Sequence, residues 1–149
     1  MGPADEIQAT EDRLGLRLPA SYRDHLLAAA GLPGNHQLTL LPVGEIDRFA
    51  RCEAEWLAGW MEGYRSVPGP STPTEQLPDD PGDPATMPAE QLGDTIVVST
   101  TADSRVLLIN PGRMGAGGEW EAWDFATWYP GAYRHPSFGH LVAALADER

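Results

Sequence analysis

Ile7-Gln8-Ala9-Thr10-Glu11-Asp12-Arg13-Leu14-Gly15-Leu16-Arg17-Leu18-Pro19-Ala20-Ser21-Tyr22-Arg23-Asp24-His25-Leu26-Leu27 is the stretch whose reading decides the fold. It reads as two short helices joined by a Leu-Gly-x-x-Leu-Pro corner. Gly15 can take the left-handed backbone that ends the first helix, and Pro19 is tolerated only in the first turn of the second. The first helix covers roughly Ala4 to Leu14, with Ile7 and Leu14 on one face. The second starts at Pro19 or Ser21 and runs to Ala30. Ser21 with Asp24 resembles a capping box with a shorter acid. Tyr22, Leu26 and Ala29 form its apolar stripe, and Gly31 stops it.

Working outward, Gln37 to Leu41 is a plausible short strand closed by Pro42. Ile46 to Tyr64 follows a 3.6-residue apolar period through Phe49, Ala50, Trp56, Leu57, Trp60 and Met61, which predicts one helix. Glu53 interrupts that face. Either it lies at the rim, or the helix starts late, or it is inward and pairs with Arg105 or Arg23, since unpaired buried acids are rare.

The second half predicts strands. Thr95–Thr100 and Arg105–Ile109 are β-type runs joined by a turn at Thr101-Ala102-Asp103-Ser104, followed by flexible loops at Asn110-Pro111-Gly112 and at 115–118. Glu119–Phe125 is a third strand. Trp120 and Trp123 point to opposite faces, so both faces are covered or one Trp is presented to a partner. After Trp128-Tyr129-Pro130-Gly131 comes a final helix, N-capped by Ser137, with Phe138, Leu141, Val142 and Leu145 as its buried stripe.

Between these halves, residues 67–91 hold seven of the 14 prolines. Neither helix nor strand tolerates that density, so the segment reads as an inserted loop, more spacer than functional element. The 149 residues are read as one domain over 1–149 carrying this insert, a length at which about 68–70% of the unfolded surface is buried.

The charge is lopsided: 22 acids against 10 arginines and no lysine, net −12. Glu75, Asp79, Asp80, Asp83, Glu90, Asp94 and Asp103 fall where no base occurs, between Arg65 and Arg105. This sign repels phosphates and argues against a nucleic-acid partner. It serves solubility, or it suits a basic partner. No apolar run reaches the ~20 residues a membrane span needs. Met1–Glu6 is acidic without an apolar core, so no secretory leader is expected. Cys52 is the single cysteine, which excludes an intrachain disulfide and fits a reducing compartment. The expected location is cytoplasmic.

No residue pattern calls for chemistry. His135 precedes Pro136 and so does not share a helix face with His140 as a metal pair. Asp103-Ser104 lacks the strand-to-helix setting of a hydrolase nucleophile. Arg48 and Arg51 would lower the Cys52 pKa, but a small half-buried residue is the plainer reading. The glycines at 112, 115, 117 and 118 precede no Lys-Ser or Lys-Thr helix, so they cradle no phosphate. The expectation is a non-enzyme with no cofactor and no metal.

Four pieces, in order, resemble the SUKH superfamily, the family of bacterial toxin-immunity proteins and of the fungal Smi–Knr cell-wall regulator. They are Glu11 with Leu14-Gly15-x-x-Leu18-Pro19, Tyr22, Leu26 and Leu27; Leu41-Pro42-Val43-Gly44-Glu45-Ile46; Ile96-Val97-Val98 with Val106-Leu107-Leu108-Ile109-Asn110; and Gly118-Glu119-Trp120-Glu121-Ala122-Trp123 with Phe125-Ala126-x-Trp128 and Pro136-Ser137-Phe138-x-x-Leu141. The family often has Asn-Gly where this chain has Ala30-Gly31. The resemblance implies an α+β fold: a mostly antiparallel sheet of about four to six strands, with an N-terminal helix pair, a central helix and a C-terminal helix packed around it. It also implies a protein that binds and blocks a toxin, nucleases among the targets. The rival readings are a regulatory scaffold for an endogenous partner and, behind it, an unrecognised enzyme or ligand binder. Charge and position pick Glu45, Asp47, Asp103, Glu119, Glu121, Trp120 and Trp123 as partner contacts, facing a basic toxin domain. Oligomeric state is left open.

Overall fold

Val106-Leu107-Leu108-Ile109 has no polar alternation, and a strand written that way needs apolar cover on both faces. The computed structural model describes residues 3–28, 32–33, 38–66, 89–102, 104–114, 118–126 and 132–147, and it provides both covers. Five helices are α1 (Pro3–Leu14), α2 (Ala20–Leu27), α3 (Phe49–Cys52), α4 (Ala54–Ser66) and α5 (Phe138–Ala146). Five strands, β1 (Asp47–Arg48), β2 (Ile96–Val97), β3 (Arg105–Met114), β4 (Trp120–Ala126) and β5 (Ala132–His135), pair antiparallel in sequence order. The class is α+β, with an antiparallel sheet inside the expected range of strands.

Alternation along β3 and β4 sends neighbouring side chains into different cores. Leu107, Ile109, Trp120 and Ala122 pack with Ile7, Leu18, Tyr22, Phe138, Leu141 and Leu145, so α1, α2 and α5 cover one face. Val106, Leu108, Trp123 and Phe125 pack with Phe49, Leu92 and Ala132, with Trp56, Leu57 and Trp60 of α4 against them. Here the rings meet edge to face, Phe49 lying 5.4 Å from Trp56 and 5.7 Å from Phe125 between centroids.

The corner forms as its sequence dictates. Gly15 takes φ +69°, and the amides of Gly15 and Leu16 donate to the Glu11 carbonyl at 2.9 and 3.2 Å. The Glu11 side chain then accepts the Leu18 amide at 2.8 Å, so one residue closes helix end and corner together. Pro19 stands in extended backbone immediately before α2. The expected Ser21 capping box is corrected. Pro19 occupies the cap position, and Ser21 gives both its amide and its hydroxyl to Glu119, at 3.1 and 2.7 Å.

Other expectations change for local reasons. The single helix over Ile46–Tyr64 is two, because Glu53 leaves helical backbone (φ −136°, ψ 52°) between α3 and α4. A wheel drawn across that break misplaces Glu53, which is half-buried. Thr95–Thr100 is regular only at Ile96–Val97, with Leu40 and Ser99 as an isolated bridge. Asn110-Pro111-Gly112 is not a loop but the irregular end of β3. Asn110 Oδ1 accepts the Gly112 amide at 2.9 Å, and the pairing to β4 skips from Asn110 to Met114. Pro111 is tolerated because β2 pairing ends at Ile109. Strand β5 was not expected. Of the proline-rich segment, residues 67–88 lie outside the described residues, as do 29–31, His36, Gln37 and Trp128; from Ala89 to Asp94 the chain is a 3-10 helix.

Substitution Gly15→Ala should destabilise the protein by about 1–2 kcal/mol in urea unfolding, from left-handed strain alone, because an added Cβ meets nothing within 4 Å. Gly44→Ala, equally open and without positive φ, should be nearly neutral.

Candidate functional site

The positions chosen from charge and aromaticity do not converge on one surface. Glu45 ends the 3-10 turn Val43–Glu45, Asp47 opens β1, and Glu119, Trp120, Glu121 and Trp123 lie on or just before β4. Asp103 lies outside the described residues.

The tryptophans are a correction. Trp120 and Trp123 are 2% and 0% exposed and belong to opposite cores, so neither is displayed to a partner. Their size fills space between sheet and helices on both sides.

The neighbouring acids hold the fold. Glu121 accepts Trp123 Nε1 at 2.8 Å, Arg134 Nη1 at 3.1 and 3.2 Å, and Arg113 Nε at 3.3 Å. The Arg134 side chain is 1% exposed, so this carboxylate is what makes a buried guanidinium tolerable. Glu119 reaches across to the first turn of α2, where its charge also complements the helix N-terminus. Asp47 lies 3.4 Å from Arg13 and 3.8 Å from Arg51, and it accepts the Arg48 amide at 2.8 Å. Arg13 also donates to the Ile46 carbonyl at 2.6 Å, which ties α1 to the entry of β1. Glu45 differs from all of these: it is exposed, and its carboxylate has no bond among the described residues.

One charged pair escaped the sequence reading. Arg105 Nε and Nη2 donate to the two oxygens of Asp124 at 2.8 and 2.7 Å, a fork-to-fork bridge with side chains 10% and 7% exposed. Arg105 therefore serves Asp124 and not Glu53. The signal was present: Arg105 opens an apolar run, and Asp124 sits between Trp123 and Phe125. His135 lies beside this pair. Burial pushes its pKa below the ordinary value; Asp124 opposes that shift, and the nearby His140 adds to it. His140 Nδ1 is 2.7 Å from Ser137 Oγ, the hydroxyl that caps α5.

Cys52 is exposed rather than half-buried, and what desolvation its thiol has pushes its pKa up, with Asp47 and Glu53 adding to the shift. That is the reverse of thiolate activation. No group of three or more metal-ligating side chains is found among the described residues, and no helix there is long and apolar enough to cross a membrane.

Comparison with protein families matches residues 3–143 to the SMI1 / KNR4 family (SUKH-1). No curated protein and no solved structure matches the chain.

Asp124→Asn should cost about 3–5 kcal/mol, because it strands a buried Arg105, while Arg105→Met with Asp124→Leu should recover most of that loss in chemical unfolding. The His135 imidazole binds its proton less readily folded than unfolded, so stability should fall as pH drops below about 6.5. In a pH series of melting curves, His135→Asn should flatten that part of the decline.

Proposed function

Because the chain belongs to the SMI1 / KNR4 family, we propose that it is a non-catalytic, immunity-type binding protein that neutralises a cognate toxin domain by direct contact in the cytoplasm. The carrying observation is the family match over residues 3–143, joined to a net charge of −12 without a single lysine. A basic toxin, a nuclease for example, binds phosphate through positive charge, and an acidic protein competes for that same charge while gaining association rate by steering.

The free acids indicate where. Glu119, Glu121, Asp47 and Asp124 are committed to internal partners. Glu45, Glu55 and Asp94 are exposed, and their carboxylates are uncommitted among the described residues. Their elements adjoin: the Val43–Glu45 turn leads through β1 into α3 and α4, and the 3-10 helix Ala89–Asp94 packs on both helices. Glu45, Glu55 and Asp94 together are the proposed contact surface.

Co-expression with the toxin domain encoded beside this gene should restore growth. Failure of rescue, or pull-down of one housekeeping protein in its place, would overturn the immunity reading in favour of a regulatory scaffold. Against the cognate toxin, Glu45→Arg should slow association by about threefold to tenfold at low salt and leave thermal stability unchanged. Glu121→Gln should do the opposite, lowering stability with little effect on association rate.

A further inference from the structure

We propose that the Leu14–Pro19 corner is a recognition site for a single carboxylate, carried by an Asp or Glu side chain of a protein partner. The inference rests on reading the chain as a protein-binding domain. Its physical basis is a solvent-open cleft of about 430 Å³ over the corner, lined by Gln8, Glu11, Asp12, Leu16, Arg17 and Arg23 with Gly15 between them.

The cleft's acids are engaged and its bases are not. Glu11 accepts the Leu18 amide at 2.8 Å, and Asp12 accepts Gln8 Nε2 at 3.0 Å. Among the described residues, neither the Arg17 nor the Arg23 side chain makes a hydrogen bond or ion pair. Arg23 Nε is shut off from solvent with no acceptor, on a side chain that lines the cleft. That Nε is itself beyond a ligand's reach, so the cleft offers an acceptor the exposed Arg17 guanidinium and the rest of the Arg23 side chain that lines it. In a chain of net charge −12, two unpaired guanidiniums in one cleft are not incidental to solubility.

The chemistry of the occupant follows from the cleft's charge. Guanidinium forks match planar two-oxygen anions. Glu11 and Asp12 formally balance Arg17 and Arg23, so a dianionic phosphate would meet two carboxylates, whereas one carboxylate adds a single charge. The approach is clear, since a Cβ built on Gly15 meets nothing within 4 Å. A free small molecule would stay largely solvated in so open a cleft. A side chain projecting from a protein surface brings its surrounding contact area with it. Such a site fixes the orientation of a partner that is otherwise attracted by diffuse negative charge.

The test uses the blocked tripeptide acetyl-Gly-Glu-Gly-amide, its Gln counterpart and inorganic phosphate, followed by NMR of the arginine Nε–H resonances at low salt. The Glu tripeptide should shift Arg17 and Arg23 saturably, with a dissociation constant on the order of 1 mM. Arg17→Gln and Arg23→Gln should each weaken it by about fivefold or more. Arg17 is exposed, so its variant folds whether or not Arg23 tolerates change. An equal response to the Gln tripeptide, tighter binding of phosphate, or unchanged affinity in Arg17→Gln would overturn the proposal. Loss of toxin rescue with tripeptide binding intact would overturn the function proposed above and leave the cleft standing; the reverse pattern would remove the cleft alone.

Discussion

Everything in this protein answers to the pairing of β3 with β4. Their side chains enter apolar cores on both faces, so the sheet cannot exist without helices on two sides. Each large side chain fully buried there is worth about 1.5–3 kcal/mol, a return available only once both covers are in place. The N-terminal corner, the break at Glu53 and the Ser137 cap can be understood as means of bringing α1, α2 and α5 to one face, and α3 and α4 to the other. Arg105 and Asp124 are the polar exception, held by two short bonds in the same strands.

That constraint also reassigns the acids. A carboxylate next to a two-faced strand is in demand as a counter-charge, and Glu119 and Glu121 are used that way by α2 and Arg134. The groups that the core does not need are the exposed acids Glu45, Glu55 and Asp94 and the arginines over the corner, on which the proposals above rest.

The legible parts of the sequence were those where one physical rule acts alone. The Gly15 stop, the Pro19 start, the Ser137 cap and the apolar runs of β3 and β4 each follow from local geometry or periodicity. What was missed depended on the third dimension. Strand β5 hides because its pattern is inverted: Arg134 points inward to Glu121 while Tyr133 is exposed, so hydropathy gives the wrong face. Charge alone picked Glu119 and Glu121 as surface contacts, because nothing local reveals that Ser21, 98 residues away, or Arg134 will consume them. That the Arg17 and Arg23 side chains have no partner among the described residues was equally invisible, since it depends on which neighbours the fold brings near.

The inverted pattern of β5 has a consequence for how the molecule lives in a crowded solution. It is one outer strand of the sheet, four residues long; the other, β1, has two residues and both are charged. An open strand margin is a template on which other chains can add by backbone pairing. Brevity at both margins, Asp47 and Arg48 at one and an inward-facing Arg134 at the other, make poor templates. Among the described residues, a sheet with two apolar faces therefore ends in short, charged margins, and the residue that defeated the hydropathy reading lies on one of them.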